Sequence, residues 1–137
     1  MPEPIAYFEH DADIGIVGRG ASIEQAFEHA ASAVFSIMTD LDAVRPQTSV
    51  AFEFDEADPE LALVTWLNLL LGEARSRALV FGRFSLRRAG AHWIGEAAGE
   101  PWRAEMQRGV EVKGATLTGL ALAERAGAWE ARCIVDV

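Results

Sequence analysis

The chain has 137 residues, half of them hydrophobic and 24% charged, which suits one domain, 1–137, with a buried core of its own. Its net charge of −9 argues against a nucleic-acid surface, which needs clustered Lys and Arg against phosphates, and suits a cation or a basic partner protein. The single cysteine, Cys133, excludes an intramolecular disulfide and a Cys-based zinc cluster, and it fits a reducing, cytoplasmic setting.

No basic segment followed by an apolar run stands between Met1 and Asp13, so no secretory signal is read there. Ile5–Glu9 and Ile14–Val17 read as short strands separated by His10-Asp11-Ala12-Asp13, with Gly15, Gly18 and Gly20 marking turns or close backbone approach. Ser22 opens the first helix. Its hydroxyl is placed to cap the first turn, and Gln25 stands three residues on as the return partner of a capping box. Ile23, Ala26, Phe27, Ala30, Ala31, Val34, Phe35 and Met38 then recur at helical spacing, and the helix is expected to end near Thr39-Asp40.

Val50, Phe52 and Phe54 alternate with Ala51, Glu53 and Asp55, the pattern of a half-buried strand. Asp58-Pro59 supplies a capping acid and a first-turn proline for a second helix that runs to about Ser76. It is apolar around most of its circumference, so it is expected to be largely buried. Its apolar run, Leu61–Leu71, is broken by Thr65 and Asn68 and is too short to span a bilayer. The remainder reads as strands: Val80–Arg88 and His92–Glu96 around Ala89-Gly90-Ala91, then Val110–Thr116, Leu117–Glu124 with Gly114 and Gly119 as candidate bulges, and Trp129–Asp136 after a turn at Gly127. Gly99-Glu100-Pro101-Trp102 reads as an exposed loop. This order of elements argues an α+β fold with a largely antiparallel sheet.

Acid stands at both extremities. Asp11 and Asp13 lie in the amino-terminal turn, and Asp136 sits one residue from the carboxylate of Val137, each flanked by apolar, strand-forming residues. A carboxylate in a strand of that kind is costly unless something cationic neutralises it. If the fold joins the ends, Asp11, Asp13, Asp136 and the Val137 carboxylate form an oxygen-rich site of the kind that Ca2+, Mg2+ or Mn2+ prefers. The plainer alternatives are a turn residue at Asp11 and a solvated terminus at Asp136. On a strand, Arg132, Ile134 and Asp136 share one face, with Cys133 and Val135 on the other.

His10 is a candidate base or ligand, or a hydrogen-bonded structural residue. His29 and His92 read as structural or surface residues, and Cys133 as a buried small hydrophobe. Lys113 either faces solvent or leans over the acidic cluster toward a phosphate or carboxylate. Neither Gly-x-Ser-x-Gly nor Gly-x-x-x-x-Gly-Lys is present. Any chemistry from the chain alone rests on metal and carboxylates, as in a small metal-dependent hydrolase. Arg75, Arg77, Arg83, Arg87 and Arg88 make one basic stretch on an acidic protein.

Five segments, taken in order, resemble one family. His10-Asp11-Ala12-Asp13-Ile14-Gly15 is similar to His-Thr-Ala-Asp-Ile-Gly. Gln25-Ala26-Phe27, Ala30-Ala31 and Phe35-Ser36-Ile37-Met38-Thr39-Asp40 are similar to the family's first helix and its exit. Trp66-Leu67-Asn68-Leu69-Leu70 is similar to Trp-Leu-Asn-Glu-Leu, Val112-Lys113-Gly114-Ala115-Thr116 to Val-Lys-Ala-x-Thr-Tyr-His, and Ile134-Val135-Asp136-Val137 to a terminal Val-Asp-Ile. The chain thus resembles the archeases, accessory proteins of the GTP-dependent, RtcB-type RNA ligase that joins tRNA halves.

The resemblance implies a single α+β domain and a divalent-ion site to which Asp13, Asp136 and Val137 correspond, with Asp11 adding a carboxylate where the family has Thr. It also implies a non-enzymatic role: promoting guanylylation of the ligase's active-site histidine by GTP, so that the ligase turns over repeatedly in tRNA splicing or RNA repair. Leu117-Thr118 stands where the family has Tyr-His. A general chaperone-like module that modifies several partners is the alternative of a different class.

Overall fold

The computed structural model describes residues 3–137, and its chain reverses at once across the first acidic segment. β1 (Ile5–His10) and β2 (Asp13–Gly20) pair antiparallel, from Ile5 opposite Gly18 to His10 opposite Asp13. Asp11-Ala12 is left as the turn. Asp11 has φ 53°, a left-handed conformation that a short polar side chain tolerates. The strand does not run through Asp11, so strand alternation does not set Asp11 and Asp13 on one face.

α1 (Ile23–Met38) begins as its capping residues require. Gln25 N donates to Ser22 Oγ (3.1 Å), and Gln25 Oε1 accepts from the main-chain N of Ala21 (2.6 Å), one residue before the cap. The helix stops at Thr39. Its small residues let β2 approach closely: a Cβ on Gly18 would lie 2.3 Å from both Ala26 O and Ala30 N, so the two backbones are in contact there.

A short 3-10 turn (Leu41–Ala43) leads to β3 (Thr48–Asp55). α2 (Pro59–Arg77) is capped by Asp58, which accepts from Glu60 N at 2.9 Å, and it ends at Ala78 in the left-handed region. It buries Ala62, Leu63, Trp66, Leu67, Leu70, Leu71 and Ala74 but leaves Leu61, Asn68 and Gly72 exposed, so burial is one-sided despite its apolar circumference. β4 (Leu79–Ala89) and β5 (His92–Pro101) form the expected hairpin, with Gly90 at φ 63°, and make a three-stranded sheet in the order β3-β5-β4.

Two expectations need correction. Gly99-Glu100-Pro101 is not an exposed loop but the end of β5, and Gly99 and Glu100 are buried. A Cβ on Gly99 would fall 1.9 Å from Val80 O, and Glu100 is neutralised by Arg103 (Nε to Oε1, 2.9 Å), which together with the Arg45 N–H holds its carboxyl below the usual range. The Gly, Glu and Pro that signal a turn are each accommodated here by a specific neighbour.

The second correction concerns the strands expected over Val110–Thr116 and Leu117–Glu124. They shrink to β6 (Gly114–Ala115) and β7 (Ala121–Arg125), because both share one edge of β8 (Ala128–Asp136) and the chain must leave that edge between them. Gly119, at φ 66°, belongs to that departure and is not a bulge; nor is Gly114, which pairs directly with Asp136.

The second sheet runs β1-β2-β8-β6, with β7 also on β8. α1 lies between the sheets, against β1, β2 and β8 on one side and β4 on the other, while α2 covers β4, β6 and β7. The core between them holds Trp66, Trp93, Phe27, Phe35 and Phe81. Among the described residues, no helix is long and apolar enough to cross a membrane.

Candidate functional site

The acids of the two extremities meet because β2 and β8 are neighbours. Their antiparallel register ends with Ile14 opposite Val135, so Asp13 and Asp136 each stand one residue beyond the same pair. On β1, His10 is opposite Asp13. Cross-strand partners project from the same face, so His10, Asp13 and Asp136 share one side at one end of the sheet. Asp13 and Asp136 are half-buried, and among the described residues no ion pair engages either of them. Arg132, two residues before Ile134 on that face, is held elsewhere: its guanidinium lies 4.7 Å over the Phe8 ring and 3.7 Å from Glu130.

Asp11 lies outside this constellation. Its side chain is 92% exposed and its nearest charged neighbour is His10, Nδ1 to Oδ2 3.8 Å. The turn reading of Asp11 therefore describes it, and His10 leans toward the turn.

The carboxyl-terminal strand is fixed from its other side. Lys113 N donates to Asp136 O (2.9 Å), Thr116 donates to Ile134 O through N (3.0 Å) and Oγ1 (2.8 Å), and Ile134 N donates to Thr118 O (3.2 Å). Lys113 thus reaches the site through its backbone, with an exposed side chain. Leu117, in the same loop, is 64% exposed.

A residue without a role in the sequence reading, Asn68 on α2, completes the arrangement. Its Oδ1 accepts from Ala115 N (2.8 Å) and its Nδ2 donates to Ala115 O (3.1 Å), clamping β6 to α2. A Cβ on Gly114 would sit 3.3 Å from Asn68 Oδ1 and 3.4 Å from Asp136 Oδ1, so the glycine leaves room beside an amide oxygen and a carboxylate oxygen at once. The available signal was a lone Asn inside an otherwise apolar helical run, where its propensity is poor.

Among the described residues, no three His, Cys, Asp or Glu side chains converge on one point. Side chains alone therefore offer two carboxylates, Asp13 and Asp136. A cation here needs amide or main-chain oxygens as well, from Asn68 and Val137. An all-oxygen set of that kind fits a hard divalent ion and does not fit a soft one.

The other titratable groups lie apart from this end. His92 spans two acids of β3, with Nδ1 2.7 Å from Asp55 and Nε2 3.0 Å from Glu53, and these contacts raise its pKa above 6.5. The acids are cross-strand, which is why no local motif announced them. His29 bonds Arg19 O through Nδ1. Cys133 is fully buried, and burial pushes its thiol up to about 12, so it is the small hydrophobe expected. The basic stretch is broken up by the fold: Arg77 pairs with Glu73, Arg88 with Glu24, and Arg75 donates to Lys113 O.

Residues 6–137 match the model of the Archease protein family. A protein named archease from Sulfolobus acidocaldarius is 36% identical over 134 residues, covering 96% of each chain. One of the same name from Methanosarcina mazei is 33% identical over 137 residues, covering 96% of this chain and 94% of the other. The solution structure of a Methanobacterium thermoautotrophicum protein superposes with a TM-score of 0.83 at 28% identity, covering 98% and 99% of the two chains. A crystal structure of an archease, possible chaperone, from Thermotoga maritima shares the fold at a TM-score of 0.68 and 20% identity, covering 100% and 98%.

Proposed function

This chain belongs to the archease family, and on that premise we propose that it is a non-catalytic activator of a GTP-dependent, RtcB-type RNA ligase, working through a divalent-cation site at Asp13, Asp136 and Val137. The observation that carries the proposal is the meeting of Asp13 and Asp136 at one end of the β2–β8 pair, beside the space between Asn68 Oδ1 and Asp136 Oδ1. Two half-buried carboxylates on one face, with no ion-pair partner among the described residues, make a place where a cation is favoured.

Asp13 and Asp136 would hold the ion, with the Asn68 amide oxygen and a main-chain oxygen of Val137 as further donors. A divalent ion held there supplies charge neutralisation for phosphates, the largest demand of nucleotidyl transfer. Lys113, tied to Asp136 by its backbone, brings an exposed ammonium to the rim that would attract the triphosphate of GTP on the docked ligase. Leu117 and the acidic turn at Asp11 flank the same end and would meet the partner. The role is one of positioning and charge, and the bond-making groups belong to the ligase.

The test is single- and multiple-turnover ligation by the ligase of the same organism, with and without this chain, comparing wild type with Asp13→Ala and Asp136→Ala. The wild type is expected to convert one round of ligation into many and both variants to fail; full rescue of turnover by both variants overturns the reading. Capture from lysate should return one dominant ligase. Many unrelated clients in its place would favour a chaperone-like module.

A further inference from the structure

A second concavity lies next to the acidic site, at the carboxyl-terminal ends of the two helices, with Val112 in its lining and Lys113 just beyond it. The last turns of α1 and α2 and the irregular segment 102–112 enclose a groove of about 340 Å³, at the small end of the range for small-molecule sites, roughly 300–1,000 Å³. Phe35, Leu71, Leu79 and Val112 make an apolar floor and Trp102 a wall. The wall segment is anchored before any ligand arrives. Gly109 N donates to Met38 O (2.8 Å), a Cβ on Gly109 would lie 2.2 Å from Ile37 O, and Arg75 Nη2 donates to Lys113 O (2.9 Å) just past its far end. A trough held open in this way spares a ligand the ordering cost of binding.

The rim is charged against the sign of the molecule. On a protein of net charge −9, two guanidiniums border the groove, Arg75 and Arg108, against one carboxylate, Glu111. Glu111 is exposed and lies 4.0 Å from Arg75 Nε, which offsets part of its charge. Arg108 is exposed and lies 4.0 Å over the face of the Trp102 ring. Stacking directs a guanidinium without using its N–H groups, which are left to donate to an anion.

We propose that this groove binds a small organic carboxylate carrying an aryl or short aliphatic tail. The tail lies in the trough between Leu71, Leu79 and Val112 against Trp102, and the carboxylate takes the N–H groups of Arg108. The volume of about 340 Å³ accommodates one ring and a short linker.

Phenylbutyrate, phenylbutanol and phenylbutylamine are matched probes that differ in head-group charge. Each is titrated to millimolar concentration into the uniformly labelled full chain, followed by two-dimensional NMR of backbone amides and indole N–H groups. Phenylbutyrate is expected to give saturable shifts confined to Trp102, Val110, Val112 and Leu79, with the alcohol weaker and the amine weakest. Arg108→Glu, a change at an exposed position, should weaken phenylbutyrate about tenfold, equivalent to ~1.4 kcal/mol, with an unchanged spectrum away from the groove to establish the fold. No saturable shift at those residues, equal binding of the amine, or unchanged affinity in Arg108→Glu each overturns the proposal.

Discussion

Asn68→Ala separates the acidic end from the stability of the whole domain. Asn68 makes two hydrogen bonds to the main chain of Ala115, at 2.8 and 3.1 Å. Each is worth about 1 kcal/mol net, so the clamp contributes about 2 kcal/mol to the order of β6. Asn68 is exposed, so water recovers part of that on removal, leaving a loss of about 1.4 kcal/mol, or about tenfold in an equilibrium.

β6 is a two-residue edge strand, paired among the described residues with the end of β8 at Asp136 and Val135, so its release is a local opening that leaves the core intact. The expected outcome is therefore asymmetric. Calorimetric affinity for Mn2+ falls about tenfold, while Tm falls by less than about 3 °C. Asn68→Asp keeps an oxygen for the Ala115 N–H and adds charge at the site, so it should lose less affinity than Asn68→Ala. Unchanged Mn2+ affinity in Asn68→Ala would refute the reasoning. So would a Tm loss of about 4–6 °C with affinity retained, which would make Asn68 part of the global core.

Gly18→Ala drives a methyl group into the α1 backbone, 2.3 Å from Ala26 O and Ala30 N. Because backbone cannot turn aside as a side chain does, a loss of about 3 kcal/mol and a fall of about 10 °C in Tm are expected by calorimetry; a Tm within about 2 °C of wild type would contradict the close approach. His92 has its pKa raised by Asp55 first and Glu53 second, so its contribution is present in full below the unfolded value of 6.5 and is lost as pH climbs through the higher folded value. In denaturant titrations the stability gap between wild type and His92→Gln should be widest in mildly acidic buffer and close at alkaline pH, more so at low salt. A gap independent of pH would exclude the pairing. Cys133, with its thiol pushed up to about 12 inside the core, should resist thiol reagents at neutral pH until denaturant unfolds the chain; stoichiometric labelling of the native protein would place it elsewhere.

Where an element is specified by contacts within a few residues, the sequence reading and the fold agree closely. Ser22, Gln25 and the stripe from Ile23 to Met38 define α1 at both ends, Asp58-Pro59 starts α2, and the Gly90 hairpin joins β4 to β5. The misread stretches depend on distant partners. Gly99 and Glu100 enter a strand because Val80 lies against one and Arg103 neutralises the other. Val110–Val112 stays irregular because the β6–β8 register, with Gly114 opposite Asp136, carries it past the end of β8.

The candidate site divides in the same way. Asp13 and Asp136 could be singled out from sequence because acid inside apolar strands is anomalous in any fold, and the order of five short segments pointed to the family. Which acids meet is a matter of register. One residue separates the left-handed turn at Asp11 from the first position of β2, and that step leaves Asp11 in solvent and sets Asp13 beside Asp136. Asn68 and the anchored groove at Arg108 arise from helices meeting segments roughly 40 to 70 residues away in the chain. Local preference and hydrophobic period are carried by neighbouring residues and survive without the rest of the molecule. The placing of Asp13, Asn68 and Asp136 on β2, α2 and β8 around Gly114 exists only once those elements are packed, because no short stretch of chain encodes it.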